Sequence, residues 1–234
     1  MKSNIRAVLF DVDGTLFDRS LAQRKALEIV VQQFPYIFGA FVLERIAKAF
    51  TESDRITTED FDAGAPSEGL RLKRSRLFLQ LLNLREDEEL AAAINEVYVR
   101  DYPTVEASMA GAVPLVKELS SRFSVGVVSN GLPDVQYRKL EAMGLRGDFS
   151  CIVLSEEIGI RKPDPGIFYH AASLLRMQPP ECLYVGDSYA SDVVGSKNSG
   201  MLACWLKREQ SVTTNEHIKA DFVISHLQEL SEII

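Results

Sequence analysis

Ala7-Val8-Leu9-Phe10-Asp11-Val12-Asp13-Gly14-Thr15 is the stretch on which the fold turns. A short apolar run that stops abruptly at carboxylates suits a buried strand whose C-terminal end is a functional edge. Residues two apart in an extended chain face the same side, so the spacing predicts a strand over residues 7–13 with Asp11 and Asp13 sharing one cavity at its end. Two crowded carboxylates repel and call for a cation or a shared proton. A hard divalent ion such as Mg2+, which takes oxygen ligands and retains waters, answers that need. One carboxylate can then attack as a nucleophile while the other serves as acid and base. Taken alone, Asp-x-Asp also fits an Asx turn before Gly14, so other residues must converge on it.

Working outward, further apolar runs occupy residues 124–129 (SVGVVS, followed by Asn130-Gly131), 149–154 and 182–186 (CLYVG, followed by Asp187), with shorter ones at 202–206 and 222–224. Helical patterns separate them over residues 113–122, 135–143, 166–175 and 191–198. Strands alternating with helices imply an α/β fold with parallel pairing through right-handed crossovers. Ligands in such open sheets sit at the carboxyl ends of the strands. The alternation lapses once, between about residues 17 and 105. There Ala22, Ala26, Ile29 and Val30 recur at helical spacing, as do Leu43, Ile46, Ala47 and Phe50, then Leu77, Leu81 and Leu84, then Leu90, Ile94 and Val97. We expect a core of residues 1–16 and 106–234 and an inserted α-helical lobe of residues 17–105, above the edge that carries Asp11.

Three more places at that edge carry polar chemistry. Gly186-Asp187-Ser188, with Asp192 five residues beyond Asp187, adds carboxylates at a second strand end, where Asp187 suits the metal and Asp192 equally suits a helix cap. Ser129-Asn130-Gly131 offers a hydroxyl and backbone N–H groups to a phosphate oxygen, or an ordinary left-handed turn and cap. Arg161-Lys162-Pro163-Asp164-Pro165 sets Lys162 in a rigid, non-helical frame, where its ammonium could pair with both a phosphoryl group and a carboxylate. Arg71, Lys73, Arg74 and Arg76 spread around several faces of one helix and read as a solvated surface, although Arg71 or Lys73 could reach an acidic leaving group. His170, His217 and His226 are scattered and take no catalytic role, and Trp205 reads as packing.

The 234 residues are 46% hydrophobic and 25% charged, which excludes a wholly disordered chain, collagen and a disulfide scaffold. A net charge of −7 provides no basic excess for nucleic acid, so no nucleic-acid partner is expected. Cys151, Cys182 and Cys204 are far apart and form no CxxC pair, the pattern of reduced thiols in a reducing compartment. No apolar run approaches the ~18–20 residues that span a bilayer, and residues 7–10 are too short for a signal-peptide core. We expect a cytoplasmic protein without a membrane partner. The sequence sets no oligomeric state.

Together these residues resemble the haloacid dehalogenase superfamily. Asp11-Val12-Asp13-Gly14-Thr15-Leu16 is similar to its first motif, Ser129-Asn130-Gly131 to the second, Lys162-Pro163 to the third, and Gly186-Asp187-Ser188 with Asp192 to the fourth. The helical insertion resembles the cap of the branch that holds phosphoglycolate phosphatase and β-phosphoglucomutase. The resemblance implies a parallel, Rossmann-like three-layer core and Mg2+-dependent phosphatase action on a small phosphorylated metabolite (a sugar, sugar-acid or nucleoside phosphate). It implies Asp11 as nucleophile and Asp13 as acid and base. Mg2+ would be held by Asp11, the Asp13 carbonyl and Asp187. Ser129, the Asn130 backbone and Lys162 would hold the phosphoryl oxygens, with Asp192 orienting Lys162 or a metal-bound water. Dehalogenases of this superfamily lack the second Asp, so Asp13 argues for attack on phosphorus. A phosphomutase would use the same groups. A receiver-like signalling module also uses a phosphorylated Asp, but is about half this length and lacks the insertion.

Overall fold

The computed structural model describes residues 4–208 and 217–234. Six parallel strands form one sheet: β1 (Ala7–Phe10), β2 (Ser124–Ser129), β3 (Cys151–Leu154), β4 (Cys182–Gly186), β5 (Leu202–Leu206) and β6 (Phe222–Ile224), in the order β3-β2-β1-β4-β5-β6. The chain builds outward from β1 to β3, then crosses back to the other side of β1 for β4. The order therefore reverses between β1 and β4, the place where open α/β sheets leave a crevice at their carboxyl edge. Phe10 is in register with Val185, so the residues that follow β1 and β4 emerge side by side.

Every side chain of β1 is fully buried, as a strand covered on both faces requires. On one face, Ile167, Phe168, Ala171, Ala172 and Leu175 of α9 (Pro165–Leu175) pack with Ala7, Leu9, Val128, Cys151 and Val153. Pro165 opens that helix, and the Asp164 side chain accepts a hydrogen bond from Gly166 N at 2.7 Å. The same unit carries α6 (Ala112–Ser120), α7 (Pro133–Ala142), α8 (Ser155–Ile158), α10 (Val194–Asn198) and α11 (Leu230–Ile233). Helix α6 buries Ala112, Leu115, Val116 and Leu119, a stripe at helical spacing.

Two strand boundaries differ from the sequence expectation. The ladder of β1 ends at Phe10 rather than at residue 13. Asp11 N still donates to Val185 O (2.9 Å), but Val12 O then accepts from the amides of Thr15, Leu16 and Phe17 and folds the chain into a tight turn. Gly14 adopts φ +85° in that turn, a conformation that glycine allows at no steric cost. Strand β3 begins at Cys151, not residue 149, because residues 146–148 form a turn of 3-10 helix. The helix expected over residues 191–198 is a wide π-helical turn, Tyr189–Val193, continued by α10.

Residues Ser20–Val105 form a second compact unit, and Met1–Arg19 with Glu106–Ile234 form the first. The second unit is helical: α1 (Arg19–Gln33), α2 (Pro35–Phe38), α3 (Leu43–Asp62), α4 (Leu70–Leu81) and α5 (Glu88–Asp101). Its core is an aromatic chain in which Phe38 stacks on Phe78, Phe78 meets Phe50 edge-on, and Phe50 contacts Tyr98. That chain sets the face of α4: Ser75, Phe78, Leu79 and the following Leu82 are buried, whereas Leu81 is exposed, so the buried stripe lies one residue off the expected Leu77-Leu81-Leu84. Leu43 is likewise exposed. Lys73 and Arg76 make exposed ion pairs with Asp60 and Glu88, as a solvated face should. Arg74 departs from that expectation: it pairs with the buried Asp54 at 3.1 Å and lies over Phe50 and Tyr98.

Candidate active site

Asp11 follows β1 and is buried at the sheet's carboxyl edge. Asp187 follows β4, and Asp192 lies on the π-helical turn beyond it. Each of these three residues offers a carboxylate oxygen within 4.8 Å of the others. Lys162 is buried among them. Its Nζ donates to Asp11 Oδ1 (2.6 Å), Asp192 Oδ1 (2.7 Å) and Tyr184 Oη (2.8 Å), which uses all three ammonium protons. The second oxygen of Asp192 accepts from Ser188 N at 2.9 Å. Asp192 is thus held at both oxygens, one of them by the lysine it was expected to orient.

The Lys162 ammonium alone does not compensate the buried Asp11 and Asp192 together with the half-buried Asp187. Burial raises the Asp11 carboxyl to about 8; Lys162 opposes the rise, while Asp192 and Asp187 add to it. Burial and the neighbouring Asp192 raise Asp187 to about 6 against the pull of Arg208 and Lys162. Lys162 is itself buried, yet Asp11 and Asp192 hold it firmly in the charged form. An all-oxygen cluster with surplus negative charge has the chemistry of a site for a hard divalent cation. Gly14 leaves room for the Asp187 carboxylate: a methyl group on Gly14 would collide with it.

Asp13 lies close in sequence, but its carboxylate points to different partners. Its Oδ1 accepts from Lys139 Nζ and its Oδ2 from Gln136 Nε2, both at 2.6 Å, and both donors are buried on α7. Burial alone would raise this carboxyl. Lys139 and Arg19, with the hydrogen bonds from Lys139 and Gln136, hold it below the usual carboxylate range. Strand alternation is therefore not what orients the two carboxylates, and Asp11 and Asp13 make different hydrogen bonds. The strand stops at Phe10, and the turn sends the two side chains to different partners.

Ser129 ends β2 and is buried; its Oγ accepts from Gly131 N at 3.1 Å. Asn130 does something the sequence did not suggest. Its carboxamide closes a two-point contact on the Lys162 backbone, with Nδ2 donating to Lys162 O (3.0 Å) and Oδ1 accepting from Lys162 N (2.8 Å). The Lys162-Pro163 peptide is cis. Sequence reasoning also missed Tyr184, whose hydroxyl accepts from Lys162 and donates to Val128 O at 2.8 Å. Arg208, which donates to Gly14 O, was missed as well. Trp205 is core packing as expected, and its Nε1 also donates to Asp187 O at 3.0 Å. A polar residue at a buried strand position, such as Tyr184 within CLYVG, was the available signal.

The sequence model of the haloacid dehalogenase-like hydrolases matches residues 5–200, and the chain belongs to that family, on its phosphatase branch. A glyceraldehyde 3-phosphate phosphatase of Methanopyrus kandleri is 29% identical over 245 residues, spanning 98% of this chain and 97% of the relative. The pyrimidine 5'-nucleotidase YjjG of Escherichia coli is 33% identical over 147 residues, 60% of this chain and 63% of the relative. Among solved structures, the HAD-hydrolase YfnB of Bacillus subtilis superposes with a TM-score of 0.83 at 24% identity, covering 98% of each chain. That protein is described as bound to magnesium and as showing interdomain movement. Among the described residues of the present chain, no helix is long and apolar enough to cross a membrane.

Proposed function

We propose that this protein is a Mg2+-dependent phosphomonoesterase that acts on small phosphorylated metabolites (sugar, sugar-acid or nucleoside phosphates) through an aspartyl phosphate on Asp11. The observation that carries the reading is the hub at Lys162: one buried ammonium fixes Asp11 beside two further carboxylates, while Asp13, two residues on, is bound by its own pair of donors. Asp11 would use a carboxylate oxygen to attack phosphorus as the ester P–O bond breaks, and Asp13, which must first take up a proton against the hold of Lys139 and Gln136, would give that proton to the departing oxygen. Asp13 would then take a proton from water as that water's oxygen attacks phosphorus, freeing Asp11 and inorganic phosphate. Ser129 and the Asn130 backbone would bind the phosphoryl oxygens, Lys162 would join them by exchanging one of its three protein hydrogen bonds for a phosphoryl oxygen, and Asp192 would keep Lys162 in place. Asp11, Asp187 and the Asp13 carbonyl would hold Mg2+, which supplies charge neutralisation for the phosphoryl group.

The helical unit, inserted in the chain between β1 and β2, is proposed as the cap that selects the leaving group, with Arg71 and Lys73 as candidates for acidic substrates. The relatives named above act on chemically different phosphates, which fits a common phosphoryl site with variable selection. The buried free thiols of Cys151, Cys182 and Cys204 fit a reducing, cytoplasmic setting.

Turnover of a panel of phosphomonoesters, with Mg2+ and with excess chelator, tests the reading alongside Asp11→Asn. Activity should need the metal, and acid-quenched wild type should carry phosphate that Asp11→Asn lacks. Undiminished turnover in chelator, or normal turnover by Asp11→Asn, would overturn it.

A further inference from the structure

We infer that Gln136 and Lys139 of α7 are positioning residues for Asp13, a two-point clamp that fixes where the proposed acid and base stands. The inference rests on the phosphatase reading above. Gln136 and Lys139 are three residues apart, so they project from one face of the helix. That face is buried, where a neutral polar side chain and an ammonium are costly unless they have partners. Each meets a different oxygen of the same carboxylate, from 123 and 126 residues away in the chain.

The surroundings are shaped for this contact. The Lys139 ammonium stands 4.8 Å from the centroid of the Phe17 ring, and Phe17 bridges back to Asp13 through the backbone. The Gln136 carbonyl oxygen is buried with no hydrogen-bond partner among the described residues, so the amide is spent on donating to Asp13. Gly131 makes the reach possible: a methyl group on Gly131 would occupy the space of the Gln136 amide. A glycine that reads as part of a phosphate loop therefore also admits the clamp.

A residue that acts through Asp13 loses its effect once Asp13 is gone. The test is a set of variants, Lys139→Met, Gln136→Leu, Asp13→Asn and the two pairs with Asp13→Asn, assayed with Mg2+ on 4-nitrophenyl phosphate and an alkyl phosphate. Asp13→Asn should cost about 10²–10⁴-fold in kcat on the alkyl ester and less on the activated one. Lys139→Met and Gln136→Leu should each lower kcat by about tenfold or more with little change in KM, more on the alkyl ester, and should cost nothing further in the Asp13→Asn background. Melting temperature supplies a second readout: Asp13→Asn strands the buried ammonium, so adding Lys139→Met should raise the melting point of that variant. Gln136→Leu carries the test if Lys139→Met does not fold. Losses that multiply with Asp13→Asn, or wild-type kcat in both α7 variants, would overturn the clamp and leave the phosphatase reading standing. A wild-type protein inactive on both esters would overturn both.

Discussion

Asp187→Asn isolates the electrostatic cost of the acidic cluster. Burial and Asp192 raise the Asp187 carboxyl from 3.8 to about 6 in the folded protein. An acid raised on folding costs stability as pH rises. Nothing is lost while both states are protonated, the loss grows from about pH 4, and it is complete above about pH 6. The difference amounts to about 3 kcal/mol at neutral pH. Asparagine keeps the shape without the charge. In excess chelator the variant should therefore be more stable than wild type by about 3 kcal/mol near pH 7.5 and by about 1.5 kcal/mol near pH 5. With Mg2+ at a hundredfold excess over Kd, wild type should recover about 2.7 kcal/mol, and the variant, short of one charged ligand, should recover less. Urea unfolding followed by circular dichroism, at both pH values with and without Mg2+, measures each quantity. A chelated variant no more stable than wild type at pH 7.5, or a gap that fails to narrow on acidification, would refute the reasoning.

On the proposed role of Lys162 at the phosphoryl group that all substrates share, Lys162→Met should lower kcat/KM by about 10²–10³-fold for aryl and metabolite phosphates alike; a loss confined to one substrate would place the lysine in leaving-group selection. The same variant leaves Asp11 and Asp192 without their ammonium, so chemical denaturation should show a stability loss of about 3–5 kcal/mol, reduced at low pH where protonation relieves it. Gly14→Ala should lose about 1–2 kcal/mol from its left-handed backbone and shift the Mg2+ midpoint of activity upward, since the added methyl runs into Asp187. An unchanged Mg2+ titration would show that the Gly14–Asp187 approach does not govern the metal.

The sheet was legible because its strands are short apolar runs ending in polar residues, and four of the six, β2, β4, β5 and β6, begin and end at the predicted residues. Residues named from motifs—Asp11, Lys162, Asp187 and Asp192—meet in one cluster because the strand order brings their loops together. Periodicity found α4 but not its buried face, since Phe78 is placed by rings on other helices rather than by its own neighbours in sequence. Gln136 and Lys139 were hidden within a segment read only as a helix. A buried lysine makes sense only once its distant carboxylate is known, and no local pattern supplies that partner. Asp13 shows the same limit from the other side: alternation gave its neighbourhood, while a turn closing on Val12 O decided its direction.

The carboxamide of Asn130, bonded to both backbone polar groups of Lys162, makes two loops from distant parts of the chain into a single mechanical part. Exchanging only one of them with a relative would break a mating surface even if every motif letter were preserved. A chimera should therefore inherit residues 129–131 and 161–164 from the same parent, and a library that varies one loop should hold Asn130 and the backbone course at Lys162 constant.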